Sequence, residues 1–419
     1  MIPEGLGLQS IQNIVSKLSE TGFNAVRLTF AIEMVDDILD NGGDVTLSDT
    51  LTRALGQVNG TAVLGNILSY NPAFTANTTR LQVIDAIAAE LAAQNIYLHY
   101  DNHVSKAMWC CSLSDGNSWF GDTYFDTTKW VRGFSYMATH GKANWPSFAS
   151  MGLRNELRLP TTGASTIEPY TWSTWKTQMT AAASAIHSAN PDVLIYFSGL
   201  DSDFNIEPAV GGSAIQDPAF SFNVADYEWS DKFVFEMHEY DEGLSNSCAV
   251  YEAVLDGFGA DATTKTGSGA NRAPLVISEW GYAQSDGSGA YNSAYATCLR
   301  DFMAERQFGW MLWVLGGSYY IREGIQNYDE TYGLFDSNLT DYRGVNSSTA
   351  VKTLIASTYA AGRLFKLECT FRSPLARLRL SSLPSILVDF EPFEGVFGVL
   401  RKERGVRLVG DCCGGYQQG

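Results

Sequence analysis

Four short stretches place acids, bases and hydrogen-bonding side chains directly behind dense apolar runs: Asp101-Asn102-His103, Arg154-Asn155-Glu156, His238-Glu239-Tyr240 and Glu279-Trp280-Gly281. A single charged group in such a place is ordinarily a solvated cap or a charge that favours a helix start. Four of them in one chain point to a shared pocket. Glu156 and Glu279 supply a pair of carboxyls, and glycoside cleavage needs such a pair. One must be protonated to give its proton to the leaving oxygen, and the other ionised to attack or to activate water. Their neighbours must hold the two pKa values apart: Tyr240 and Arg27 can donate to an ionised Glu279, while Asn155 can hydrogen-bond a sugar hydroxyl beside Glu156.

The aromatic residues fit the same chemistry. Residues 107–130 carry Trp109, Trp119, Phe120, Tyr124, Phe125 and Trp130, and the last apolar run carries Trp310 and Trp313. Flat indole faces offer apolar surface to the C–H face of a pyranose ring, although about half of these rings are expected to be ordinary core.

Such residues need a scaffold that brings strand ends together. Residues 10–20 place Ile11, Ile14, Val15 and Leu18 at helical spacing and are stopped by Gly22. Residues 24–30 then read as a strand, 80–94 as a helix and 96–101 as a strand. Further strands are expected at 149–154, 193–197, 233–237, 275–278 and 310–314, with helices at 170–189 and 290–306 among them. Continuous apolar strands alternating with helices imply a covered parallel sheet. No glycine-rich phosphate turn marks a dinucleotide-binding sheet, so a (β/α)8 barrel is favoured, with active-site residues at its C-terminal strand ends. Seven strands are one too few, and the expectation is a TIM barrel lacking its first strand.

The 419 residues carry 28 Lys and Arg against 46 Asp and Glu, a net charge of −18. That balance repels phosphate backbones and anionic lipids, and no apolar run reaches the ~18–20 residues of a bilayer span. Neither nucleic acid nor membrane is an expected partner. The charge is uneven: from Arg363 onward nine basic residues face six acidic ones, and all ten Trp lie between Trp109 and Trp313. A boundary is therefore expected, with a catalytic domain at 1–357 and a non-homologous tail at 358–419; the tail is expected to be no functional domain but a disordered or mispredicted segment, although its runs at 385–390, 395–400 and 406–410 could be short strands.

Seven Cys lack zinc-ligand spacing, so no structural metal or other cofactor is expected. Cys248 and Cys298 could pair in an oxidising compartment or stay as buried thiols. Four sequons begin at Asn59, Asn77, Asn338 and Asn346 and read as surface loops. There is no G-x-S-x-G and no H-E-x-x-H, which argues against a serine hydrolase or a zinc peptidase.

The ordered set of Arg27 in NAVRLTF, His103 in YDNH, Asn155-Glu156 in GLRNEL, His238 and Tyr240 in HEY, Glu279 in ISEWG and Trp313 in WMLWV resembles glycoside hydrolase family 5. Stretches such as MIPEGL and WCCSLSDGNSWFGDTYF look like its cellulase-like, fungal-type branch. The resemblance implies that Glu156 is the acid/base and Glu279 the nucleophile of a retaining reaction, with carboxyls ~5 Å apart. It implies Arg27, His238 and Tyr240 around the nucleophile, His103 in the substrate site, Asn155 on the sugar 2-hydroxyl and Trp313 as a floor for the sugar. An oligo- or polysaccharide substrate, a monomeric state and an extracellular location follow as expectations. Three features depart from the family: Leu157 follows Glu156 where many members have Pro, the first barrel strand is missing as though the chain began inside its domain, and the resemblance fades beyond about residue 350. The competing expectation is a catalytically impaired, carbohydrate-binding remnant of the barrel.

Overall fold

The computed structural model describes residues 2–371 except 241, 242, 244, 265 and 266. All seven strands expected from the sequence form, as β1 (Ala25–Ala31), β2 (Tyr97–Val104), β3 (Phe148–Gly152), β4 (Leu194–Ser198), β5 (Phe233–Glu239), β6 (Leu275–Trp280) and β7 (Gly309–Leu312). They pair in chain order, each parallel to the next, as one curled sheet. This is the α/β sheet of a (β/α)8 barrel with seven strands in place. Among the described residues no hydrogen-bonded register joins β7 to β1.

Period-two alternation sorts the side chains between two cores. On β1, Val26, Leu28 and Phe30 pack outward with the helices, whereas Ala25 belongs to a small cluster inside the barrel. On β5, Phe233, Phe235 and Met237 join the outer core, while Val234 lies in the inner cluster with Tyr196, Val276 and Met311. The same alternation turns Glu236 and His238 inward above Val234.

The helices form where the sequence spacing and caps place them. Helix Ile11–Thr21 starts at Ser10, whose side chain accepts from the Asn13 N–H, and ends at Gly22 with φ of 105°. It buries Ile11, Val15 and Leu18, each worth about 1.5–3 kcal/mol when taken fully from water. Thr79 and Gln82 form a reciprocal capping box at the start of helix Arg80–Ala93. The helix expected at 290–306 begins later, as Ala294–Arg306, because Ser293 caps it by accepting from the Ala296 N–H. No described helix is long and apolar enough to cross a membrane.

Two features depart from the expectations: an added hairpin and the setting of two sequons. A two-stranded antiparallel hairpin, β8 (Ser318–Arg322) and β9 (Ile325–Asp329), follows the last barrel strand. The helix Val345–Phe371 runs through the boundary placed at 357/358. Thr358 accepts from the Trp310 indole at 3.1 Å, and Tyr359 donates to the Gly22 carbonyl at 3.3 Å, so the helix ties β7 to the segment entering β1. The candidate strands at 385–390, 395–400 and 406–410 lie outside the described residues. All four sequon asparagines are exposed, but Asn59 sits in helix Leu47–Tyr70 and Asn346 in the first turn of Val345–Phe371, so only Asn77 and Asn338 are in loops.

Candidate active site

The C-terminal ends of β1, β2, β3, β5 and β6 converge on one cluster. Arg27, inside the barrel on β1, donates to Glu279 on β6 through Nη1 and to Asn155 Oδ1 through Nη2 at 2.8 Å. The same Nη2 lies 3.1 Å from Asp101 Oδ2. Tyr240, just beyond β5, donates to the other oxygen of Glu279 at 3.1 Å. His238 stands between the two carboxyls, with Nδ1 3.1 Å from Glu156 Oε1 and 3.7 Å from Glu279 Oε2. Glu156, His238 and Glu279 each bring an oxygen or nitrogen within 4.8 Å of the others.

Electrostatics separates the charged groups. Burial works to raise the Glu279 carboxyl, but His238 and Arg27 outweigh it and hold it below the ordinary 4.5. Burial likewise opposes ionisation of Asp101, and Arg27 with the His103 hydrogen bond still holds it down at about 2. Burial pulls the His238 imidazole down, yet Glu279, the hydrogen bond to Glu156 and Asp203 together keep it up at about 9. His238 is therefore an imidazolium at neutral pH. Burial pushes Glu236, deeper in the barrel, up to about 7 against the pull of Arg27, and drives Asp203 well above the usual carboxylate range. Arg27 and His238 as cations thus face Glu279 and Asp101 as anions, so each of these buried charges meets an opposite one.

Each residue expected from the sequence reaches the site. Arg27, Asn155, Glu156, Tyr240 and Glu279 line a cleft of about 1020 Å³, as do His103 and Trp313. The His103 and Trp313 rings lie parallel, with centroids 5.8 Å apart, and His103 Nδ1 meets Asp101 Oδ2 at 3.0 Å. His238 sits one layer deeper, 2% exposed in its side chain, touching both carboxyls rather than Glu279 alone. Leu157 is fully buried, and Glu156 itself has a φ of 48°. The aromatic loop divides as its chemistry demands: Trp119, Phe120, Phe125 and Trp130 are core, whereas Trp109 and Tyr124 are exposed. The Trp109 ring borders the cleft, with the Arg322 guanidinium of β8 over it at 3.9 Å.

Three contributions were not legible in advance. Asp101 pairs with both Arg27 and His103, and only its place beside His103 hinted at it. Asp203, on the loop after β4, accepts from the Glu156 N–H at 2.7 Å, and no motif marks it. Cys110 and Cys111 are joined to each other by a disulfide, and their sulfurs lie 3.6 and 3.5 Å from the Asn155 amide nitrogen. Cys248 and Cys298 form the second disulfide, which settles the alternative left open by the sequence.

A family model described as cellulase, glycosyl hydrolase family 5, matches residues 6–318. A glycosyl hydrolase 5 family protein from Chamaecyparis obtusa is 31% identical over 364 residues, which cover 84% of this chain and 60% of that protein. The chain thus spans 60% of the length of this curated relative. The catalytic domain of the major endoglucanase from Xanthomonas campestris pv. campestris superposes with a TM-score of 0.58 at 19% identity, covering 85% of this chain and 90% of that one. A cellotetraose complex of an endocellulase from Pyrococcus horikoshii superposes with a TM-score of 0.58 at 17% identity, covering 84% and 88%. At such identities the structural likeness carries the barrel fold.

Proposed function

The chain belongs to glycosyl hydrolase family 5, and from that membership we propose that it is a retaining glycoside hydrolase acting on β-linked glucan, mannan or a related β-glycoside. The observation that carries this reading is the pair Glu156 and Glu279, with reactive atoms within 4.8 Å of each other and of His238, at facing strand ends in an open cleft. Retaining enzymes need their carboxyls ~5 Å apart, whereas inverting ones leave ~6.5–9.5 Å for a water.

The reaction runs in two displacements. An ionised Glu279 oxygen attacks the anomeric carbon as the carbon–oxygen bond to the leaving sugar breaks, and the Glu156 proton passes to that oxygen. Water then gives a proton to Glu156 and its oxygen to the anomeric carbon, freeing Glu279. Arg27 and Tyr240 keep Glu279 ionised and aimed. The Asn155 amide nitrogen, now set against the Cys110 and Cys111 sulfurs, is the donor for the sugar 2-hydroxyl, and Trp313, stacked on His103, forms the floor under the ring. The cellotetraose complex of the structural relative makes a β-glucan the first substrate to try. The exposed sequons and the Cys248–Cys298 disulfide support an extracellular location.

The test is the purified chain with cello- and manno-oligosaccharides, alongside Glu156→Gln and Glu279→Gln. Turnover of the oligosaccharides lost in both variants, with azide restoring reaction on an activated dinitrophenyl glycoside through formation of a glycosyl azide, is the expected result. Full activity in either variant would sink the assignment, and oligosaccharide binding without turnover by the wild-type chain would favour a non-catalytic, carbohydrate-binding barrel.

A further inference from the structure

The loop after β4 has an unusual backbone. Asp201, Ser202 and Asp203 follow one another with φ of 56°, 59° and 65°, in the left-handed region. Asp tolerates that region better than most side chains, but a run of three non-glycine residues persists only where surrounding contacts over-determine it. Those contacts are present. Leu200 and Asn205 close the loop by exchanging backbone hydrogen bonds of 2.9 and 3.1 Å. The Ser202 N–H donates to the Leu157 carbonyl at 2.9 Å, and the His238 N–H donates to the Asp203 carbonyl at 3.0 Å.

The side chain of Asp203 completes the set. It is fully buried, Oδ2 accepts from the Glu156 N–H at 2.7 Å, and the same oxygen lies 3.7 Å from His238 Nε2. Glu156 is itself in the left-handed region, so its carboxyl direction depends on what holds its peptide plane. Its carbonyl is held by Arg158 Nη1 at 2.7 Å, and Arg158 is locked by Asp115 at 2.5 Å. Its N–H is held by Asp203 alone among the bonds described. The loop therefore touches both partners of the Glu156–His238 hydrogen bond, one through a side chain and one through a carbonyl.

We infer that Asp203 is a positioning residue for the proposed acid/base, fixing the Glu156 peptide so that its carboxyl meets both His238 and the leaving oxygen. This rests on the hydrolase reading above. It adds a residue that never touches substrate and acts only through Glu156. The consequence is specific to the leaving group. Cleavage of a sugar–sugar bond needs the proton from Glu156, whereas a dinitrophenolate leaves without one.

The test compares Asp203→Ala and Asp203→Asn with the wild-type chain on cellotetraose and on 2,4-dinitrophenyl β-cellobioside. Asn keeps an oxygen that can accept from the Glu156 N–H, and its near-identical shape guards against loss of fold. Since misplacement by ~1 Å costs about 100-fold, Asp203→Ala should lower kcat on cellotetraose by about that factor at unchanged KM, with kcat/KM on the activated glycoside within about threefold of wild type. Asp203→Asn should regain most of the loss. Equal losses on both substrates, no loss on either, or an Asn variant no better than Ala would overturn the role while leaving the hydrolase reading intact. Absence of turnover of both substrates by the wild-type chain would overturn both.

Discussion

Arg27→Gln removes the cation on which three groups of the site depend. Arg27 contacts Asp101, Glu279 and Asn155 at once, and its side chain is 6% exposed. Deleting one partner of a buried ion pair leaves an uncompensated charge, at a cost of about 3–5 kcal/mol. Asp101 allows part of that cost to be worked out. Its carboxyl lies at about 2 instead of 3.8, and such a depression contributes about 2.5 kcal/mol of stability at neutral pH. A depressed carboxyl stabilises fully above its unfolded pKa, and the contribution is lost as pH falls through the folded value. About half of it remains at pH 3. In the variant, burial acts on Asp101 without its main cation and drives the carboxyl up. Guanidinium unfolding followed by tryptophan fluorescence should show a deficit of about 3–5 kcal/mol at pH 7 that narrows steadily between pH 4 and pH 3. A deficit below about 1 kcal/mol, the range of an exposed pair, or one equal at pH 7 and pH 3, would refute the assignment of Arg27 as the pivot of the buried charges.

Three further outcomes follow from the same geometry. Because cations hold Glu279 below 4.5, the acidic limb of the kcat/KM profile should fall below pH 4.5, and a limb above pH 5 would contradict an ionised Glu279 held by Arg27 and His238. Tyr240→Phe deletes a donor to Glu279 whose burial keeps the phenol protonated. A hydrogen bond to a charged group is worth about 1.5–3 kcal/mol, so kcat/KM should drop by roughly 10- to 150-fold and the acidic limb should move to higher pH; an unchanged limb would remove Tyr240 from the account. The Cys248–Cys298 disulfide joins residues 50 apart, and such bridges typically contribute about 2–4 kcal/mol. The Cys248→Ala, Cys298→Ala double variant should lose that much in denaturant unfolding while keeping wild-type kcat, and a large loss of kcat would place the bridge in the catalytic machinery.

The sequence made a covered parallel sheet legible because most strands are dense apolar runs alternating with helices, and the lack of a glycine-rich phosphate turn then favoured a barrel over a doubly wound sheet. The site was legible for a related reason: in such a sheet the C-terminal strand ends meet at one mouth, where Asn155-Glu156, His238, Tyr240 and Glu279 stand, and Arg27 reaches them from within β1. What stayed hidden depends on contacts between distant segments. Asp203 earns no local signal, since its function lies in a bond to a backbone 47 positions away. His238 could be placed near Glu279, but its bridging of both carboxyls is set by the depth of one layer in the barrel. The β8–β9 hairpin carries only short, mixed runs, with no pattern strong enough to separate it from loop. Asn59 follows a kink at Gly56, with φ of 77°, and polar residues on the exposed side of a helix look like a loop in sequence. The bond of Thr358 to Trp310 joins positions 48 apart and has no local pattern in the sequence.

The central claim is that Glu279 forms a covalent bond to sugar. It is tested most directly by incubating the chain with 2,4-dinitrophenyl 2-deoxy-2-fluoro-β-cellobioside and mapping the adduct by mass spectrometry. The fluorine slows both displacements by destabilising the cationic transition state, and the activated leaving group restores the first, so a glycosyl-enzyme accumulates. The account predicts one added glycosyl group per chain, on the peptide containing Glu279. A label on another residue, or turnover of natural oligosaccharides with inversion at the anomeric carbon, would contradict it.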